Sequence, residues 1–234
     1  MPEQRPSGTS KRGPDQPGSR QFRQAPPPYY LSYLSSVKDS RSPFKSLLPQ
    51  LKHKVEERGW AHVATCFTLS GPLKQFLEVY RLQDGQTMLP TLEELTRDPN
   101  HRDLMQACTS RQMELTQGLP YDPGAGGPGG PKVNYPRSYF LQAILTLKPD
   151  RLPRFIDTMH HVREFFFKNE WVLVSASQSL TAPIRIAHLW RFGNCNELGT
   201  LMRLLSTKTE YAALDECCTG QWQQLMYELE PAKS

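Results

Sequence analysis

The sequence predicts an α+β protein in which one module occurs twice in tandem and the two copies pack sheet to sheet as a pseudo-twofold barrel. Three observations carry this. Two apolar-rich blocks flank a Gly/Pro-rich stretch. The blocks match each other at a nearly constant offset. Within each block the hydrophobic period switches between two and 3.6 in the same order.

Composition gives the divisions. The chain has 234 residues, 38% of them apolar, and 21 prolines. Much of the Pro and Gly lies outside the two blocks. Residues 1–28 hold seven Pro, three Gly and few large apolar side chains, so they are expected to be a disordered tail. Residues 118–136 hold six Gly and five Pro and read as a flexible linker. The first module is placed at 29–117 and the second at 137–231. Each is apolar enough to bury a core.

The net charge is +5, but the tail alone carries five basic residues against two acidic ones. The folded part therefore presents no basic stripe, and nucleic acid is not an expected partner. The five cysteines are odd in number and lack Cys-x-x-Cys spacing, so neither a disulfide framework nor a zinc site is expected. No apolar signal region and no stretch of about 20 apolar residues is visible. These features favour the cytoplasm, with a mitochondrial address as the alternative that the Arg- and Ser-containing tail suggests.

Shifting the first block by 110 positions lays Tyr29-Tyr30-Leu31 on Tyr139-Phe140-Leu141, and Tyr80-Arg81-Leu82 on Trp190-Arg191-Phe192. A one-residue insertion lays Trp60 on Trp171. In the second block, Tyr139 to Lys148 alternates as a strand, with Leu141, Ala143, Leu145 and Leu147 on one face. Pro149-Asp150 opens a helix striped by Leu152, Phe155, Ile156, Met159, Val162 and Phe166. Trp171–Leu180 and Ile184–Phe192 form a hairpin. Asn194 to about Cys218 is helical in two pieces, and Trp222–Glu230 is the last strand. The first block repeats this order: strand Tyr29–Lys38, a helix striped by Phe44, Leu47, Leu48, Leu51 and Val55, the hairpin Trp60–Ser70 and Leu73–Leu82, helices over Leu89–Ser110 broken near Pro99, and strand Gln112–Leu119. The order βαββαβ is the ferredoxin-like arrangement. Helices cover one face of such a sheet, and a second module can cover the other.

A tandem pair of such modules, with the segment His188-Leu189-Trp190-Arg191-Phe192 ending a hairpin, resembles the NIPSNAP family of the dimeric α+β barrel superfamily. The resemblance covers both blocks. It implies an interaction protein, while other members of the superfamily are small oxygenases, haem-handling proteins and isomerases. The basic Pro-rich tail and the long linker depart from the family pattern.

The third strands carry the candidate chemistry. One face of the second block's strand holds Ile184, Ile186, His188, Trp190 and Phe192; its counterpart holds Phe76, Glu78, Tyr80 and Leu82. Glu78 and His188 occupy equivalent positions. If these faces line the space between the sheets, a carboxylate and an imidazole approach across the pseudo-twofold axis, a pair suited to proton transfer. Tyr80, Trp190, Ile186 and Phe76 would then line a ligand pocket. The alternative places these faces under the helices, with the polar groups satisfied locally. His160-His161 read as a solvated helix face, and Cys217-Cys218 as one core and one surface residue. No phosphate loop, nucleophile elbow, metal set or cofactor motif is present. Two functions follow: a NIPSNAP-like interaction or scaffold protein with a protein partner, or a small-molecule oxygenase, isomerase or ligand-binding protein holding a small apolar or aromatic ligand between the sheets.

Overall fold

The structure is a computed structural model that describes residues 26–38, 44–72, 74–82, 84–127 and 129–229. The expected disordered tail lies outside these residues except for its last three positions, where the Pro28 carbonyl accepts a hydrogen bond of 2.7 Å from the Gly118 N–H. No helix among the described residues is long and apolar enough to cross a membrane.

The first module runs β1 (Tyr29–Val37), α1 (Phe44–Glu57), β2 (Trp60–Thr68), β3 (Gln75–Leu82), α2 (Met88–Arg97), α3 (Pro99–Ala107) and β4 (Cys108–Gly118). The second runs β5 (Tyr139–Leu147), α4 (Leu152–Lys168), β6 (Val172–Ser179), β7 (Arg185–Phe192), α5 (Leu198–Ser206), α6 (Thr209–Asp215) and β8 (Cys218–Glu228). Asp98 separates α2 from α3. Its carboxylate accepts from the N–H groups of Asn100 and His101, and Pro99 takes the first helical position, where a missing N–H costs nothing.

Register demonstrates the internal repeat. Tyr29 opposes Leu82 and Tyr139 opposes Phe192; Tyr29 opposes Gln117 and Tyr139 opposes Tyr227. The ladders β2–β3 and β6–β7 slip at matching places, between His62 and Ala64 and between Leu173 and Ser175. Offsets of 110 and 111 relate all of these pairs, as the sequence match predicts.

The eight strands close into one barrel in the order β1-β3-β2-β8-β5-β7-β6-β4. Closure uses two short antiparallel seams. Cys66 to Thr68 pair with Glu228 to Met226, and Thr116 to Gly118 pair with Ser179 to Ser177. These seams satisfy edges that each module alone would leave open. Strand alternation then sorts the side chains. One set faces the helices: Leu31, Phe76, Tyr80 and Leu82 in the first module, and Leu141, Ile186, Trp190 and Phe192 in the second. The other set, including Tyr30, Cys66, Leu77, Phe140, Leu189 and Met226, fills the middle of the barrel.

The segment that composition marks as a flexible linker is anchored where it begins. Leu119, Tyr121 and Asp122 are buried. Asp122 accepts from the Tyr30 hydroxyl at 2.7 Å, from the Ala176 N–H at 2.7 Å and from the Ala125 N–H at 3.1 Å, so it ties both modules together. Farther on, the Leu173 N–H donates to Gly129, and a Cβ on Gly130 would meet the Phe167 ring at 2.7 Å. Gly thus serves here for close approach as well as freedom. Replacing Asp122 by Ala strands three donors and is expected to cost about 2–4 kcal/mol of unfolding free energy by urea titration. Replacing the exposed Glu164 by Ala is expected to change it by less than about 0.5 kcal/mol.

Candidate functional site

Glu78 and His188 do not meet. Both project to the helix side of their own sheet, which is the alternative the sequence left open. Glu78 is 1% exposed; its Oε1 accepts from the Tyr80 hydroxyl at 3.0 Å and its Oε2 from Arg111 Nη1 at 2.7 Å. The same Arg111 nitrogen lies 2.7 Å from Ser35 Oγ. His188 Nε2 is 2.7 Å from the Tyr121 hydroxyl, and its ring stacks on Phe155 with centroids 6.1 Å apart. The supposed pocket residues Phe76, Tyr80, Ile186 and Trp190 belong to the two helix-covered cores. The proton-transfer pair across the axis is therefore replaced by two separate, locally satisfied groups.

The two helix-covered layers differ for a simple steric reason. In the first module Arg111 lies 4.1 Å over the Tyr33 ring and fills the layer. The equivalent positions in the second are Gln221 and Ala143. They leave a space of about 40 Å³ beside His188, bounded by Met159, Val162 and Phe166 of α4 and by Leu205 and Leu214. That is room for a water molecule or two, and far below the roughly 300–1,000 Å³ of small-ligand sites.

A much larger pocket, of about 690 Å³, opens at one mouth of the barrel between the two sheets. Its position follows from the seams. Pairing of β4 with β6 stops at Thr116, and pairing of β8 with β2 stops at Met226, so the first halves of β4 and β8 stand apart from the opposite module. Ser32, Leu34, Leu77, Gln112 and Glu114 line it from the first module; Gln142, Ile144, Arg185 and Trp222 line it from the second. Most of these are the barrel-facing alternates of their strands. At the rim Arg185 Nη2 donates to Glu114 Oε1 at 2.5 Å, with both side chains well exposed. Inside, Gln142 Oε1 is buried without a hydrogen-bond partner among the described residues. Trp222 is 39% exposed, whereas Trp60, Trp171 and Trp190 are buried.

Sequence reading passed over these residues because it followed only the apolar face of each strand. The polar alternates Ser32 and Gln142 fall on equivalent positions of equivalent strands and carried the missing signal. A further groove, of about 420 Å³, runs between α1 and β2 past His62, whose Nε2 is 2.8 Å from Thr65 Oγ1. His160 and His161 are exposed on α4, and no group of three His, Cys, Asp or Glu gathers among the described residues.

Burial holds His188 neutral, with its pKa pushed down to about 3, and Arg163 adds to the depression. His62 is lowered to about 4, first by burial and then by Lys52. Burial raises the Asp122 carboxyl, and its hydrogen bonds partly offset that rise.

No sequence-family model matches the chain, and comparison with curated proteins gave no match. Solved structures do match in fold. Two proteins named "putative monooxygenase" are similar over nearly the whole chain. The one from Fusobacterium nucleatum has a TM-score of 0.61 at 10% identity, over 88% of this chain and 94% of its own. The one from Lactobacillus acidophilus has 0.60 at 8% identity, over 86% and 93%. A heme-binding protein from Thermus thermophilus matches with a TM-score of 0.56 at 11% identity, over 88% and 92%. At such identities the likeness establishes the dimeric α+β barrel fold; it does not reach the NIPSNAP family.

Two outcomes follow from the buried histidine. In acid the unfolded chain protonates at its ordinary histidine pKa of about 6.5, while folded His188 stays neutral until about pH 3. The His188 contribution to stability is therefore fully present above pH 6.5 and is lost progressively as pH falls from 6.5 toward 3. A His188→Gln variant is expected to show a shallower acid loss in urea titrations across that window. Tyr121→Phe removes the partner of buried Nε2 and is expected to cost about 1–3 kcal/mol.

Proposed function

We propose that the chain is a small-molecule-binding protein of the dimeric α+β barrel type, related in this respect to its oxygenase and ligand-binding neighbours, with its site between the two sheets. The observation that carries this is the pocket of about 690 Å³ at the barrel mouth, built from both modules. Its size suits a small organic ligand. Its lining combines aliphatic walls, one exposed indole and a few placed polar groups, the usual composition of such sites. The names of the fold neighbours, oxygenase-type and heme-binding, favour this reading over an interaction scaffold.

A haem group does not fit the residues present. His188 is committed to Tyr121, and the space beside it is about 40 Å³. The mouth pocket offers no His or Cys as an axial ligand. No catalytic step is routed through such a group. The mouth pocket holds one carboxylate, Glu114, already paired with Arg185. Its residues bind and orient a ligand rather than supply a nucleophile.

The test uses the exposed indole. Trp222 alone among the four tryptophans is accessible to iodide, so its quenchable emission reports the pocket. Titration with planar aromatic compounds (naphthalene, 2-quinolinone, anthrone) is expected to protect Trp222 with Kd on the order of 10–100 µM for the smaller compounds. Ile144→Trp, which fills the pocket, is expected to weaken binding at least tenfold. Absence of protection by every compound contradicts the proposal.

A further inference from the structure

The lining of the mouth pocket has a chemical bias that size alone does not supply. Gln142 on β5 and Gln224 on β8 are directly opposed cross-strand partners, and both belong to the barrel-facing set. Gln224 is 0% exposed, and neither its Nε2 nor its Oε1 has a hydrogen-bond partner among the described residues. Gln142 Oε1 is buried, equally unpartnered, and lines the pocket. Buried amides without partners are rare in folded proteins because each forfeits its hydration. Gln142 is the one that lines the pocket and brings an unpaired carbonyl oxygen to it; Gln224 lies across the strand pair, fully buried and outside the lining.

The internal repeat sharpens this. The position equivalent to Gln224 is Glu114, which has its own partner in Arg185. The position equivalent to Arg185 is Gln75, whose Nε2 donates instead to Ser36 Oγ at 3.1 Å. One half of the mouth thus holds a closed ion pair. The other holds an uncharged amide left open. Because Glu114 and Arg185 cancel each other, the pocket presents no net charge to a ligand.

We infer that the mouth pocket takes a neutral, planar ring system with a hydrogen-bond donor and acceptor side by side, as in a lactam or imide, its polar edge pairing with the Gln142 amide and its ring stacking on Trp222. This rests on the pocket reading above. Side-chain amides read such edges by paired hydrogen bonds, as Gln and Asn do with adenine in nucleic-acid recognition. A site built to satisfy polar groups also discriminates against an isostere lacking them, since the amides then stay unpaired. The aliphatic walls from Leu34, Leu77 and Ile144 suit the faces and edges of such a ring.

The experiment compares 2-quinolinone, whose N–H adjoins its carbonyl, with naphthalene, which has the same bicyclic outline and neither group. Both are titrated against the full chain by protection of Trp222 from iodide. The lactam is expected to bind at least tenfold more tightly. Gln142→Met, close in size, is expected to abolish that preference while leaving naphthalene affinity unchanged or higher. Gln224→Met is also expected to raise the Tm of the free protein by about 2–4 °C, because it removes an unpaired buried amide. Equal binding of the two compounds overturns the lactam inference and leaves the pocket reading standing. Failure of both to bind overturns both. A preference that survives in Gln142→Met shows that the amide is structural and overturns the inference.

Discussion

Everything in this molecule depends on how two open sheets close on each other. Each module has helices for one face of its sheet and nothing for the other, and each exposes two strand edges. Pairing the modules solves both problems together. The bare faces become the inside of a barrel, and the edges become two seams of three residue pairs each. The seams are short because the strands twist and tilt away from one another, so closure is complete only around the middle. There the interior is filled by Tyr30, Cys66, Leu77, Phe140, Leu189 and Met226. At the mouth, where β4 and β8 run free of the opposite module, the same geometry leaves room. The pocket is thus a consequence of how the barrel closes.

The repeat makes the departures from symmetry informative. Equivalent positions hold Thr116 and Met226, and Ser177 and Cys66. One seam is therefore crossed inside the barrel by a 2.9 Å hydrogen bond from Thr116 to Ser177, while Cys66 and Met226 lie in the apolar core at the other. Glu78 and His188 are another such pair. Their difference does not create a shared site. It lets the first module bury an Arg–Glu–Tyr network and the second an imidazole against Tyr121. Buried charge pairs of this kind are weak contributors to net stability, yet removing one partner is severe. Their place in the chain is structural, while the asymmetry at the mouth is the one with ligand chemistry.

Much of the architecture was legible in the sequence. The alternation in Tyr139–Leu147, the striped helix before Trp171 and the constant offset were enough to give element order, duplication and barrel. The face that carries the site was not legible, because both faces of these strands are largely apolar. In β3, for example, Leu77 and Val79 face the barrel while Phe76, Tyr80 and Leu82 face the helices. Period two cannot say which set meets which layer when both are buried. The anchoring of the linker was hidden for a different reason. Its Gly/Pro content marks a loop, but Leu119, Tyr121 and Asp122 act through contacts with residues tens of positions away. Composition averages over a window and misses three buried side chains at its start.

The most direct test is a residue-resolved map of binding in solution. Backbone, Gln side-chain and Trp indole resonances of the full chain would be followed by NMR as 2-quinolinone is added. Shifts concentrated at Ser32, Gln142, Ile144 and the Trp222 indole are predicted. Shifts centred instead on His188, Met159 and Leu205 would place the site beneath the helices of the second module and contradict the account.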